Sequence, residues 1–147
     1  MTEVVSHGRE ETLLLAKKLA LSLKGGEVIA YFGGLGMGKT TFTAGLAEGL
    51  GLNAEVSSPT FSLVHDYGGN PHLYHFDMYR IETFDDLYST GFFDYLDTGA
   101  VLAVEWSENI ENALPENIIR IEISRGKNDD ERIFRLSGDE VYENSWR

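Results

Sequence analysis

Apolar and polar positions follow two periods along the chain, and the points where the period changes predict its elements. Glu10 to Lys24 places Leu15, Ala16, Leu19, Ala20 and Leu23 on one side at helical spacing, which predicts an amphipathic helix stopped by Gly25-Gly26. Glu27 to Phe32 is a short, mostly apolar run of the kind a buried parallel strand needs, and Lys39 to Leu50 returns to helical spacing. Beyond the turn at Gly49 and Gly51, Glu55 to Val64 reads as extended, with Pro59 pushing Ser58 out of helical space. Phe61 to Tyr67 and Leu73 to Tyr79 flank the turn Gly68-Gly69-Asn70-Pro71 and predict an antiparallel pair. Thr83 and Asp86 have capping-box spacing for a short helix that Gly91 closes. Phe92, Phe93, Tyr95 and Leu96 form an aromatic cluster expected to serve packing. Ala100 to Val104 is the most continuous apolar run, as expected of a central strand covered on both faces, and Ser107 to Leu114 suits one or two helical turns before Pro115. Ile118 to Ser124 and Arg132 to Ser137 alternate and predict a C-terminal hairpin around residues 126–130. The polar residues from about 138 onward are expected to fray from a single domain spanning 1–147.

One stretch between the second and third elements carries chemistry. Gly33-Gly34-Leu35-Gly36-Met37-Gly38-Lys39-Thr40 fits the phosphate-binding pattern G-x-x-x-x-G-K-[ST] without a mismatch. Glycines let backbone N–H groups turn toward a phosphate, Lys39 supplies an ammonium for the outer phosphates, and Thr40 supplies a hydroxyl for Mg²⁺. Thr41 is placed to donate to the α-phosphate. The loop sits between a strand and a helix, so the helix N-terminus directs its partial positive charge at the ligand. The element order predicts an α/β, P-loop NTPase-like three-layer fold, with a central parallel sheet extended by antiparallel strands.

Nucleotide hydrolysis also needs the far side of the site. Asp77 follows the strand-like Leu73-Tyr74-His75-Phe76 and Glu105 follows Ala100 to Val104, so both carboxylates fall at carboxyl strand ends, and either can hold Mg²⁺ while the other orients water. Ser57-Ser58-Pro59-Thr60 occupies the position of a switch segment that closes on a γ-phosphate, with Thr60 as the candidate sensor. Arg80 suits either charge stabilisation on a transferring phosphate or a surface ion pair. His72 and His75 beside Asp77 do not read as a metal cluster, because residues three apart on a strand face opposite ways. Thr12, near the start of the first helix, and Arg132 are weaker candidates for contact with the bound nucleotide.

Composition narrows the partners. The formal charge of −12, from 24 acidic and 12 basic residues, works against autonomous binding to nucleic acid, which rests on Lys and Arg neutralising phosphates. There is no cysteine and no long apolar span, and Thr2-Glu3 stands where a secretory signal has its basic start, so a soluble protein in a reducing cytoplasm, away from membranes, is expected.

The segments GGLGMGKTTFTAGLAEGLG, SSPTFSLVHDY, LYHFDMYRI and VEWSENI together resemble the TsaE (YjeE) family of bacterial P-loop ATPases, with similarity from about Glu10 to Arg135. The resemblance implies a role in threonylcarbamoyladenosine (t6A) modification of tRNA, in which the ATPase assembles with the transferase TsaD and its scaffold TsaB and meets tRNA through them. It implies ATP and Mg²⁺ as ligands, Lys39 and Thr40 as phosphate and Mg²⁺ residues, Asp77 and Glu105 as functional carboxylates, Trp106 as the adjoining tryptophan and Thr60 as the switch-like threonine. Gly34, Met37 and Ser107 depart from the residues common in that family without removing a group the mechanism needs. A small-molecule kinase, or a nucleotide-gated adaptor that does not require hydrolysis, are the alternative readings. The guanine-reading Asn-Lys-x-Asp string is missing, the nearest being Lys127-Asn128-Asp129-Asp130, so adenine is favoured.

Overall fold

A computed structural model of the chain describes residues 1–33, 38–53, 55–57, 59 and 63–147. Gly34, Leu35, Gly36, Met37, Ser58 and Thr60, read above as phosphate-loop and switch residues, lie outside the described residues. Seven strands form one sheet: β1 (Thr2–Ser6), β2 (Val28–Phe32), β3 (Val64–Gly69), β4 (His72–Asp77), β5 (Val101–Glu105), β6 (Ile118–Arg125) and β7 (Arg132–Ser137), in the order β1-β7-β6-β2-β5-β4-β3. The middle four, β6-β2-β5-β4, are parallel. Antiparallel β3 extends one edge, and antiparallel β7 and β1 extend the other. This is the mixed sheet the sequence predicts, and the parallel centre is what brings two carboxyl strand ends together.

Strand periodicity divides the core into two layers. Ile29 and Tyr31 of β2, Val101 and Ala103 of β5 and Ile119, Ile121 and Ile123 of β6 face helices α1 (Arg9–Ala20) and α2 (Lys39–Gly49). Val28, Leu102, Val104 and Phe76 face the other way, toward α3 (Phe84–Ser89), α4 (Phe92–Tyr95) and a 3₁₀ segment, Ser107–Ala113. The capping box forms as read: Asp86 N–H donates to Thr83 Oγ1 at 3.1 Å and Thr83 N–H donates to Asp86 Oδ2 at 3.2 Å. Phe92 is fully buried with its edge on Phe76 at 5.4 Å, so the aromatic cluster packs. The first helix ends at Ala20 rather than Lys24, because the chain tightens there into i→i+3 bonds, Ser22 N–H to Leu19 O and Leu23 N–H to Ala20 O. No described helix is long and apolar enough to cross a membrane.

Helices α1 and α2 pack against each other through glycine. A Cβ at Gly45 would lie 2.6 Å from Ala16 Cβ and 2.7 Å from Leu13 O, and one at Gly49 would lie 2.5 Å from Ala20 Cβ. Gly45→Ala should therefore destabilise the protein. The roughly 1 kcal/mol that Ala gains over Gly in a helix is outweighed by about 1–3 kcal/mol of overpacking. Urea denaturation decides the sign, and an unchanged or raised midpoint would contradict this packing.

The C-terminal residues correct one expectation. From 138 onward the chain does not fray: α5 (Glu140–Glu143) and a 3₁₀ turn, Asn144–Trp146, seat Trp146 in the core at 8% exposure. Its indole N–H donates to Leu15 O at 2.9 Å, and its ring meets Phe42 and Phe134 edge-on. Polar composition around Trp146 concealed one large apolar anchor. The β1 strand was also not foreseen; it is a short edge strand whose Ser6 turns inward.

Candidate functional site

Gly33 leaves β2 at φ 145°, where a Cβ would sit 2.6 Å from Ile123 O, so the loop's first position admits only glycine without displacing β6. Gly38 closes the loop in the left-handed region, φ 97°, as the N-cap of α2. Lys39 then opens the helix with its side chain turned back toward Gly33. It is buried, with Nζ 3.4 Å from Gly33 O, 3.8 Å from Glu105 Oε1 and 4.8 Å from the centroid of the Trp106 ring. An ammonium kept from water in this way is compensated by a carboxylate and an aromatic face.

The two carboxylates arrive by register. β4 and β5 are parallel with Asp77 directly opposite Glu105, and both are about 5% exposed or less. Asp77 Oδ1 accepts the Tyr79 N–H at 2.8 Å, and Met78 N–H donates to Glu105 O at 3.0 Å, which locks the two strand exits together. Trp106 follows in the left-handed region, φ 58° and ψ 41°, at a cost of about 1–3 kcal/mol for a residue with a side chain. Asn109 N–H on Trp106 O and Ser107 Oγ on Val104 O hold that turn, which lays the indole against Tyr79 at 4.9 Å and over Lys39.

Lys39, Asp77, Glu105 and Trp106 thus converge at the carboxyl edge of the parallel strands, beside the N-terminus of α2. Thr40 and Thr41 stand in its first turn, and Thr41 Oγ1 accepts from Arg9 at 3.2 Å. Thr40 with Asp77 and Glu105 offers hard oxygen donors of the kind Mg²⁺ takes. Among the described residues no group of three or more His, Cys, Asp or Glu forms a ready metal cage, so an ion here would draw its other ligands from phosphate and water. Arg80 is exposed at the rim, near Tyr79 and Trp106. The hydrogen bonds of Thr12 and Arg132 go to groups outside this cluster. Thr12 is buried with its hydroxyl 2.7 Å from Ser6 Oγ, and Arg132 donates to Asp129 O and Glu131 O.

Three participants were not foreseen. His75 is fully buried with Nε2 2.5 Å from Glu105 Oε2, and its Nδ1 lies 3.3 Å from the Tyr67 hydroxyl. Period-2 spacing already placed it on the same strand face as Asp77. Glu108 reaches back to accept the Gly33 N–H at 3.2 Å, and Arg9 reaches Thr41 across from α1; nothing local in the sequence signals either contact. His72, by contrast, faces out and pairs with Asp66 at 3.1 Å. The Gly68 N–H, with a smaller contribution from His72, holds the Asp66 carboxyl below the usual range. Burial holds the Tyr67 phenol above its ordinary range, the Ser57 backbone opposing and nearby Glu105 adding to the shift, so the hydroxyl keeps its proton.

A family model described as threonylcarbamoyl adenosine biosynthesis protein TsaE matches residues 6–134. The chain belongs to the TsaE family. It is 43% identical over 125 residues to the tRNA threonylcarbamoyladenosine biosynthesis protein TsaE of Bacillus subtilis, covering 84% of this chain and 78% of that one. To the protein of the same name from Aquifex aeolicus it is 40% identical over 138 residues, covering 92% and 97%. The crystal structure of Bacillus subtilis YdiB superposes with a TM-score of 0.79 at 36% identity, covering 99% of this chain and 90% of that one. TsaE membership ties the chain to threonylcarbamoyladenosine biosynthesis, and the TsaE model includes every residue of the Lys39, Asp77, Glu105 and Trp106 cluster. Trp146 lies beyond the matched region.

Proposed function

We propose that the chain binds Mg²⁺-ATP over residues 33–41 and hydrolyses it as the ATPase component of cytoplasmic t6A modification, with turnover coupled to the TsaD–TsaB transferase cycle. The observation that carries this reading is the convergence of Lys39, Asp77, Glu105 and Trp106 on the N-terminus of α2. N–H groups at the start of α2 face the phosphates, and Lys39 turns from Glu105 to the outer phosphate oxygens while Trp106 limits its swing. Mg²⁺, when bound, supplies charge neutralisation at the phosphates. Thr40 and one of Asp77 and Glu105 hold it, and the other carboxylate orients the attacking water. Thr41 donates to the α-phosphate and Thr60 senses the γ-phosphate. Thr12 and Arg132 are the proposed contacts on the nucleoside side. Catalysis by such a site is positioning and charge stabilisation. The acidic surface suits a protein that meets tRNA only through TsaD and TsaB.

The test is ATP hydrolysis by the purified chain alone and with TsaB and TsaD. Slow turnover alone and faster turnover in the complex is the expected result. Turnover that does not change when both partners are added would overturn the coupling, and γ-phosphate recovered on a metabolite instead of as free phosphate would favour a kinase.

A further inference from the structure

We propose that His75 and Tyr67 are positioning residues for Glu105, with the Tyr67 hydroxyl transmitting the position of the Ser57 backbone to that carboxylate. The proposal rests on the reading of Glu105 as a working carboxylate of the ATPase site. It starts from burial: His75 has no exposed surface and both ring nitrogens engaged, Nε2 with Glu105 Oε2 at 2.5 Å and Nδ1 with Tyr67 Oη at 3.3 Å. A carboxylate oxygen can only accept, so the proton in the short contact is on Nε2. In a neutral ring Nδ1 is then an acceptor, and Tyr67 is the donor that faces it.

Tyr67 has a single proton to give. Its oxygen is 3.0 Å from Ser57 O, which only accepts, and it receives the Ser57 N–H at 3.3 Å. His65 Nδ1, 3.1 Å away, is a third acceptor unless it carries a proton of its own, and with that proton in place the choice lies between Ser57 O and His75 Nδ1. When Ser57 O holds the hydroxyl proton, His75 Nδ1 is left without its donor. When the Ser57 backbone draws back, the proton turns to Nδ1, fixes the tautomer and tightens the Nε2–H bond on Glu105. The segment containing Ser57 leads directly to Pro59 and Thr60, so a change in that segment reaches Glu105 through two side chains and no main-chain movement of β4 or β5. Histidine suits this place because its two nitrogens lie on opposite edges of a rigid ring and exchange roles together.

The experiment uses the full chain with Tyr67→Phe, His75→Gln and His75→Leu, each read in two ways. Turnover with TsaB and TsaD gives kcat and KM. Long-range ¹H–¹⁵N spectra of the nucleotide-free protein give the tautomer of His75, assigned by its loss in His75→Gln. His75→Leu should lower kcat about 10-fold or more at unchanged KM, as expected when a residue that orients a working ligand is lost. His75→Gln should recover much of that through its amide N–H, and Tyr67→Phe should lower kcat by a few-fold. In the spectra, Tyr67→Phe should move the Nδ1 signal and Glu105→Gln the Nε2 signal. If His75→Leu fails to fold, His75→Gln and Tyr67→Phe carry the same comparison. His75 signals that stay in place in both Tyr67→Phe and Glu105→Gln, or kcat within twofold of wild type in all three variants, would overturn the proposal. A wild-type chain that hydrolyses no ATP would instead overturn the functional reading, and the spectra would still decide the linkage.

Discussion

Glu105→Gln is expected to leave ATP binding within about threefold of wild type while turnover with TsaB and TsaD falls about 10²–10³-fold. The asymmetry follows from the charges around Glu105. Its carboxylate lies 3.8 Å from Lys39 Nζ and opposite Asp77 in the parallel register, so it stands among the groups proposed to engage an incoming triphosphate. Removing one negative charge there reduces repulsion of the phosphates and frees Lys39 for them, which offsets the lost ion pair in the binding step. In the chemical step nothing replaces the carboxylate, since an amide neither accepts a proton from water nor holds a divalent cation as well. Titration with a fluorescent ATP analogue and a phosphate-release assay separate the two effects. Equal losses in binding and turnover would show that Glu105 serves only to anchor Lys39. A variant that supports t6A formation with hydrolysis abolished would favour the nucleotide-gated adaptor.

The second large effect lies far from the chemistry. Trp146→Ala should cost about 3–5 kcal/mol of stability, because it removes an indole at 8% exposure that packs edge-on against the stacked Phe42–Phe134 pair and leaves a cavity beside them. Phe42 stands in the first turn of α2, the turn that carries Lys39, Thr40 and Thr41, so the loss is felt where the phosphates would bind. Urea unfolding followed by circular dichroism measures it, with Trp146→Phe as the milder comparison that keeps a ring and loses the hydrogen bond to Leu15 O. A loss below about 1 kcal/mol in Trp146→Ala would mean that α5 and its following turn rest on the domain without supporting it.

How much of this was legible in the sequence depends on how local each signal is. The phosphate loop, its flanking strand and helix, the capping box at Thr83 and the C-terminal hairpin are each written in one continuous local stretch, where periodicity and turn chemistry act directly. Asp77 and Glu105 could be placed at strand ends one at a time, but their alignment opposite each other is a property of the β4–β5 register, which no single segment contains. His75 illustrates the gap. Its spacing from His72 argued against a metal cluster, and the two do face opposite ways; its spacing of two from Asp77 placed both on one face, and only the register shows that Glu105 waits there. Trp146 was missed because its partner Leu15 lies at the other end of the chain and a polar local composition reads as fraying. The family resemblance identified Trp106 by position, whereas its left-handed turn over Lys39 is a matter of tertiary packing.

The seam between α1 and α2 determines which parts of the site are able to move. Gly45 sits on Ala16 and Gly49 on Ala20, one helical turn apart on both helices, with no side-chain cushion at either point. Two such contacts act as a keyway: α2 can neither roll nor slide along α1 without driving its backbone into a neighbouring Cβ. The helix that carries Lys39 and Thr40 is therefore held in register with α1, and the elements that face it across the proposed site are the Ser57 backbone on Tyr67 and the left-handed turn at Trp106.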